Sequence, residues 1–194
     1  MTTENTKLMQ MARESLNGKW GIAIGGFLIY TIIISIASYA SLIIAGPFYL
    51  GICLFALNIS RGKEFKIEQI FKGFNYFVNA LLAYLLVFVY VFLWSLLLIV
   101  PGIIKGLSFS MVFFILADDP ELNYSEALKQ SEEMMDGHKW KFFKLNLRFL
   151  GWAILCLLTL GIGFLWLIPY MYVTYAKFYD DLKIDPLQEI GESI

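Results

Sequence analysis

Three long uncharged runs dominate the chain: residues 20–60, 73–104 and 149–176, with Lys105 alone separating the second run from a further uncharged stretch at 106–117. A helix that crosses a bilayer needs about 20 apolar residues. Each long run exceeds that or is interrupted by helix-breaking residues: "AGP" (45–47), "VPG" (100–102) and "GIG" (161–163), the last with Pro169 shortly after. Proline removes a backbone N–H and pushes the preceding residue out of helix. Each run therefore reads as a helical hairpin with a short turn, its apex in the third run at either "GIG" or Pro169. The pattern predicts an all-α, polytopic membrane protein of six transmembrane helices at about 20–44, 48–60, 75–99, 102–117, 140–160 and 164–180.

An amphipathic stretch precedes each hairpin. Leu8, Met11, Ala12, Ser15 and Leu16 form the first stripe; Ile67, Ile70, Phe71 and Phe74 the second; Ala127, Leu128, Ser131, Met134 and Met135 the third. All follow the 3.6-residue period. Their ends are alike, "ESLNGKW" (14–20), "QIFKGFNY" (69–76) and "EMMDGHKW" (133–140). This predicts a pseudo-threefold internal repeat with units at about 1–60, 61–118 and 119–183 in a single domain, and a short polar tail at 184–194. Each unit is an interfacial helix, a glycine hinge, an aromatic anchor and a hairpin. The hinges are Gly18, Gly73 and Gly137, which can take φ > 0 and end a helix. The anchors are Trp20, Tyr76 and Trp140, suited to headgroup depth.

Composition agrees with a membrane setting. The chain is 194 residues, 59% hydrophobic and 16% charged, with mean hydropathy +0.67, against about 25% charged residues in soluble domains. The polar N-terminus is unlike a signal peptide, and the chain is expected to be retained whole. Fourteen of the 15 Lys/Arg and all 16 Asp/Glu fall in 1–19, 61–72, 118–148 and 177–194. In a six-helix chain those segments share one side, which the positive-inside rule makes cytoplasmic, with both termini. Net charge is −1, so no basic excess points to nucleic acid. Cys53 and Cys156 sit in apolar runs and read as packing residues.

Lys105 is the exception. Near the outer end of its helix it either snorkels to headgroups or, with Ser108 one turn on, lines a polar recess for an anion or lipid, no membrane-embedded acid being at hand. Lys139, Lys141, Lys144 and Arg148 form a cytoplasmic basic stripe, a face for anionic lipid or a protein partner. In the polar loop, Asp119–Pro120 reads as a helix start, and Asn123 with Glu126 as a capping box. Asp118, Asp119, Glu121 and His138 are the only material for a metal or catalytic centre; caps account better for the three acids, and a lone interfacial histidine is usually structural. No catalytic, cofactor or metal site is expected.

The stretches "ARESLNGKWGIAIG" (12–25), "FLWSLLLIVPGIIKGLSFSMVFFILADDPEL" (92–122), "SEALKQSEEMMDGHKWKFF" (125–143) and "GWAILCLLTLGIGFLWLIPY" (151–170) resemble the bacterial integral-membrane family called domain of unknown function 975. That family is similar to the membrane domain attached to some glycerophosphodiester phosphodiesterases. The resemblance implies a six-helix bacterial plasma-membrane protein and supplies no reaction; the phosphodiesterase chemistry belongs to a separate barrel of about 250 residues, which this chain has no room to encode. The expected function is non-catalytic binding of membrane lipid or of a membrane or cytoplasmic protein partner, in envelope maintenance or stress response. The alternatives are a small transporter or channel, with Tyr170, Tyr172 and Tyr175 along a path, and a membrane enzyme.

Overall fold

The computed structural model describes residues 3–36, 41–64 and 66–191. Among them are nine α-helices and one 3-10 segment, and no strand. The helices are α1 (Asn5–Leu16), α2 (Trp20–Ile36), α3 (Ser41–Ser60), α4 (Phe77–Leu97), α5 (Ile99–Ser108), α6 (Val112–Asp118), α7 (Tyr124–Met134), α8 (Lys139–Leu158) and α9 (Phe164–Gly191); the 3-10 segment is Ile67–Tyr76. Three stretches are long and apolar enough to cross a membrane: Ile43–Ser60, Ile67–Leu96 and Ile99–Asp118. By length and composition these stretches give the chain the character of a helical membrane protein.

The core is built around α3, which packs against the 3-10 segment, α4, α6 and α9. Within its span 67% of residues are buried, against 11% for the span that includes α4. So α3 is central, and α4 presents most of its surface outward. Glycine makes the central packing close. A Cβ on Gly51 would lie 1.9 Å from the Ile70 carbonyl oxygen, and one on Gly46 would lie 2.5 Å from that of Ala80. Small residues that admit a neighbouring backbone are the usual means of tight helix contact in membranes.

The expected break at "AGP" does not occur. Pro47 lies inside α3. Proline in a spanning helix is tolerated when neighbours re-satisfy the freed carbonyl, and here only two helical residues precede Ile43, whose carbonyl Pro47 leaves free. The second break falls at Leu98, extended at φ −163° and ψ 148°. Pro101 is then in the first turn of α5, where an N–H has no intrahelical acceptor anyway. The expected helix 102–117 is also divided, at 109–111. Ser131 of α7, fully buried, bridges the division: its hydroxyl donates to Ser108 O at 2.8 Å and accepts from Met111 N at 3.2 Å. In the third hairpin the apex is at "GIG" and not at Pro169, which lies inside α9. Leu160 (φ 53°) and Gly161 (φ 86°) make the turn, and Gly163 N donates to Thr159 Oγ1 at 3.1 Å.

The polar loop departs from its expected form at one end. α7 starts at Tyr124, not at Pro120, and Asn123 caps it by accepting from Ser125 N at 2.9 Å. The backbone of α9 continues to Gly191 through most of the expected polar tail; Glu192 lies outside the described residues.

Candidate functional site

Several charges from distant parts of the chain are paired with one another. Arg61, just past α3, pairs with Asp118 at the end of α6 and with Asp180 of α9 at 2.6 Å. Lys183 meets Asp118 at 2.5 Å. Lys141 of α8 meets Asp181 at 2.9 Å, and Asp181 also accepts from Thr3 N. Asn79 of α4 donates to Leu122 O at 2.6 Å and accepts from Tyr124 N at 2.7 Å. Burial alone would raise the Asp181 carboxyl; the hydrogen bonds from Thr3 and Lys141 outweigh it and hold it below the ordinary value.

Two arginines stand apart. Arg13 of α1 and Arg148 of α8 are both exposed and line one cavity of about 470 Å³, with Gln10, Trp152 and Tyr170 also on its wall. Among the described residues neither forms an ion pair. The cavity adjoins a second chamber of about 450 Å³ that shares Arg13, Trp152 and Tyr170 and runs between α8 and α9 past Leu155, Trp166 and Leu167 to Thr159 and Gly163. The two chambers form one cleft along the side of the bundle, polar at one end and apolar along its length. Tyr170 fixes the junction: its hydroxyl donates to Met9 O at 3.1 Å and so ties α9 to α1. α1 seats itself by burying Leu8, Ala12 and Leu16. That leaves Arg13, one residue beyond the stripe, at its edge. Trp152 (55% exposed) and Trp166 (49% exposed) open the cleft laterally.

A further cavity of about 610 Å³ lies between the α4–α5 hairpin and α8–α9. Tyr49, Tyr84, Ser110, Asn146 and Tyr175 are on its wall, and the Tyr175 hydroxyl donates to Asn146 Oδ1 at 2.7 Å. Of the three tyrosines singled out in the sequence, Tyr175 lines this cavity and Tyr170 the cleft. Tyr172 lines neither; its ring packs on Phe27 and Tyr49.

The residues expected to carry function are dispersed. Lys105 has an acidic partner after all: its Nζ lies 2.5 Å from Glu132 of α7 and near the rings of Trp94 (5.8 Å) and Phe109 (5.6 Å). It is thus turned toward the amphipathic α7 and not away from it to the opposite surface. Ser108 is buried and donates to Ile104 O at 3.0 Å, so the two do not form an open anion recess. The basic stripe separates: Lys139 lies 3.9 Å from Asp136, Lys141 is spent on Asp181, Lys144 sits over the Trp140 ring at 5.5 Å, and Arg148 alone enters the cleft. Gly18 and Gly137 both have φ 73°, two residues past the end of α1 and three past the end of α7. Gly73 is no hinge. It lies within the 3-10 segment, where a Cβ would come within 1.9 Å of the Pro47 carbonyl oxygen. Asp118 is committed to Arg61 and Lys183, and no group of three or more His, Cys, Asp or Glu placed to hold a metal occurs among the described residues.

Sequence reasoning missed Arg13, Trp152 and Trp166 as a set. The available signal was an arginine bordering the apolar stripe of the first amphipathic helix, but nothing in the spacing tied it to a helix 135 residues later.

A family described as Protein of unknown function (DUF975) matches residues 96–185. No curated protein and no solved structure matches the chain. The likeness to the membrane domain of glycerophosphodiester phosphodiesterases rests on the sequence resemblance alone. The matched stretch runs from the end of α4 into α9 and contains Arg148, Trp152 and Trp166, and across it the chain is similar to the DUF975 family of proteins of unknown function.

Proposed function

We propose that this is a non-catalytic, multi-pass protein of the bacterial plasma membrane that binds lipid in the lateral cleft between α1, α8 and α9. The cleft carries the reading: an apolar chamber open sideways, with the exposed guanidinium groups of Arg13 and Arg148 at one end, suits an amphiphile entering from the bilayer. In this reading α2, α3, α4, α5–α6, α8 and residues 164–180 of α9 are six spans in three hairpins. Both termini are cytoplasmic, and the role is in envelope maintenance or stress response. The convergence of Arg61, Asp118, Lys141 and Asp180 at one end supports a common side for those segments.

Native mass spectrometry of the full chain released from mild detergent tests the binding. Retained lipid adducts are expected; a bare protein in detergents that preserve lipid contacts would count against it. For the topology, Lys7→Cys, Lys63→Cys and Leu122→Cys are expected to resist an impermeant thiol reagent in intact cells, and labelling of any one overturns the arrangement.

Transport is a second reading, favoured by the 610 Å³ cavity with its phenol and amide groups. Solute flux in liposomes distinguishes it from static binding, and co-purification from native membranes tests for a protein partner.

A further inference from the structure

Resting on the lipid-binding reading, we infer that the ligand of the cleft is an anionic phospholipid, its headgroup phosphate bridged by Arg13 and Arg148 and one acyl chain laid along Trp152, Leu155 and Trp166. Both arginines reach the same chamber from different helices. Of the other cations discussed above, Arg61, Lys141 and Lys183 face acids at the charged end, Lys105 faces Glu132, Lys139 lies near Asp136, and Lys144 rests over the Trp140 ring. Two guanidinium groups on one cavity repel each other, and an anion between them removes that repulsion. Guanidinium forks match phosphate oxygens bidentately and are weakly hydrated, so they suit a site half in lipid. The nearest acid on α1, Glu14, accepts from Gln10 Nε2 at 3.0 Å and forms no ion pair with either arginine.

The shape selects a lipid over a free phosphate. From Arg148 to Thr159 the cleft follows eleven residues of α8, about 16 Å at 1.5 Å per residue. One acyl chain, reaching half of a hydrocarbon core about 30 Å thick, is of nearly the same length. An acyl chain laid in the cleft therefore reaches from the arginine chamber toward the α8–α9 turn. Trp152, shared by both chambers, sits where headgroup gives way to chain. A soluble phosphate would leave the apolar chamber unused.

The test presents the full chain in mild detergent with an equimolar mixture of phosphatidylglycerol and phosphatidylcholine and reads adducts by native mass spectrometry. Phosphatidylcholine carries its own cation, so it controls for chain binding. The expected result is roughly tenfold more phosphatidylglycerol adduct, equivalent to about 1.4 kcal/mol. Arg13→Gln with Arg148→Gln is expected to equalise the two lipids while total adduct persists, and Arg13→Lys with Arg148→Lys to retain part of the preference. Equal adducts on the unaltered chain overturn the assignment of an anionic lipid and leave the lipid cleft standing. Displacement of phosphatidylglycerol by millimolar inorganic phosphate overturns it in favour of a free-anion site. Absence of any lipid adduct overturns both this inference and the reading it rests on. Because these arms use the unaltered protein, the inference stays falsifiable even if the double variants fail to fold.

Discussion

The amphipathic segments at 5–16 and 67–76 begin from the same sequence idea and end as different structures. Both carry an apolar stripe, and both lead through glycine to an aromatic residue and a hydrophobic run. Yet α1 is an α-helix closed by Gly18 at φ 73°, and a Cβ on that glycine would meet nothing within 4 Å. The segment at 67–76 is 3-10, and its Gly73 admits the Pro47 carbonyl of α3. One glycine supplies backbone freedom, and the other supplies absence of bulk. α7 and Gly137 repeat the α1 arrangement down to the same φ. A shared motif thus states that a glycine is needed without stating why, and the reason depends on what packs across from it.

The largest expected effect separates the two roles. Gly73→Ala forces the backbones of α3 and the 3-10 segment apart, and Gly51→Ala does the same from the other side, against Ile70 O. Overpacking costs about 1–3 kcal/mol and more where backbone must move, so each variant should lose about 3 kcal/mol or fail to accumulate. Thermal unfolding in detergent measures it. A stable Gly73→Ala protein would mean that the close approach is not present in the membrane.

A smaller effect is expected on lowering pH. The start of α1 is held by Asp181, which accepts from Thr3 and Lys141, and by Asn5, whose amide donates to Lys141 O at 2.8 Å. Because the Asp181 carboxyl is held below its ordinary value, its contribution is complete above the usual carboxylate range, about pH 4. It is lost as pH falls through the lower folded value. Amides of residues 3–8 should therefore gain hydrogen exchange below about pH 4, while those of 67–76, held by backbone packing, should not. Asp181→Asn should abolish the difference. Equal loosening of both segments would show that α1 is not separately tethered.

Gly18→Ala and Gly137→Ala come next. With open space around both, only the left-handed backbone penalty applies, about 1 kcal/mol each. The two losses in thermal stability should match within error. A much larger loss at one would mean that its glycine, like Gly73, meets a neighbour.

Much of this was legible in the sequence because hydrophobic periodicity and turn chemistry are local. The amphipathic segments, the Asn123 cap and the "GIG" turn follow from residues within a few positions of one another. What was not legible depends on partners far along the chain. Pro47 stays helical in the setting of a central, closely packed helix. The division at 109–111 is stabilised by a serine 20 residues on from Met111. The cleft joins Arg13 to Arg148, whose separation no period encodes. Turns counted from Pro101 put Lys105 near the outer end of its helix, but α7 brings Glu132 to it.

That last contact yields the smallest expected effect and extends the comparison to α7. If α7 resembles α1 in lying against the bundle by its stripe, the Lys105–Glu132 pair is an added tether and not the main one. Its side chains are 25% and 45% exposed, and pairs of that exposure contribute about 0–1 kcal/mol. Lys105→Met should therefore insert, accumulate and lose no more than about 1 kcal/mol. In a double-mutant cycle with Glu132→Gln the coupling should be positive and below about 1 kcal/mol. Exchanging the charges, Lys105→Glu with Glu132→Lys, should recover part of what Lys105→Glu alone loses. A coupling of zero with full stability would return Lys105 to the opposite surface, free of α7. A coupling well above 1 kcal/mol would place the pair out of reach of solvent and make it, and not the apolar stripe, the contact that holds α7.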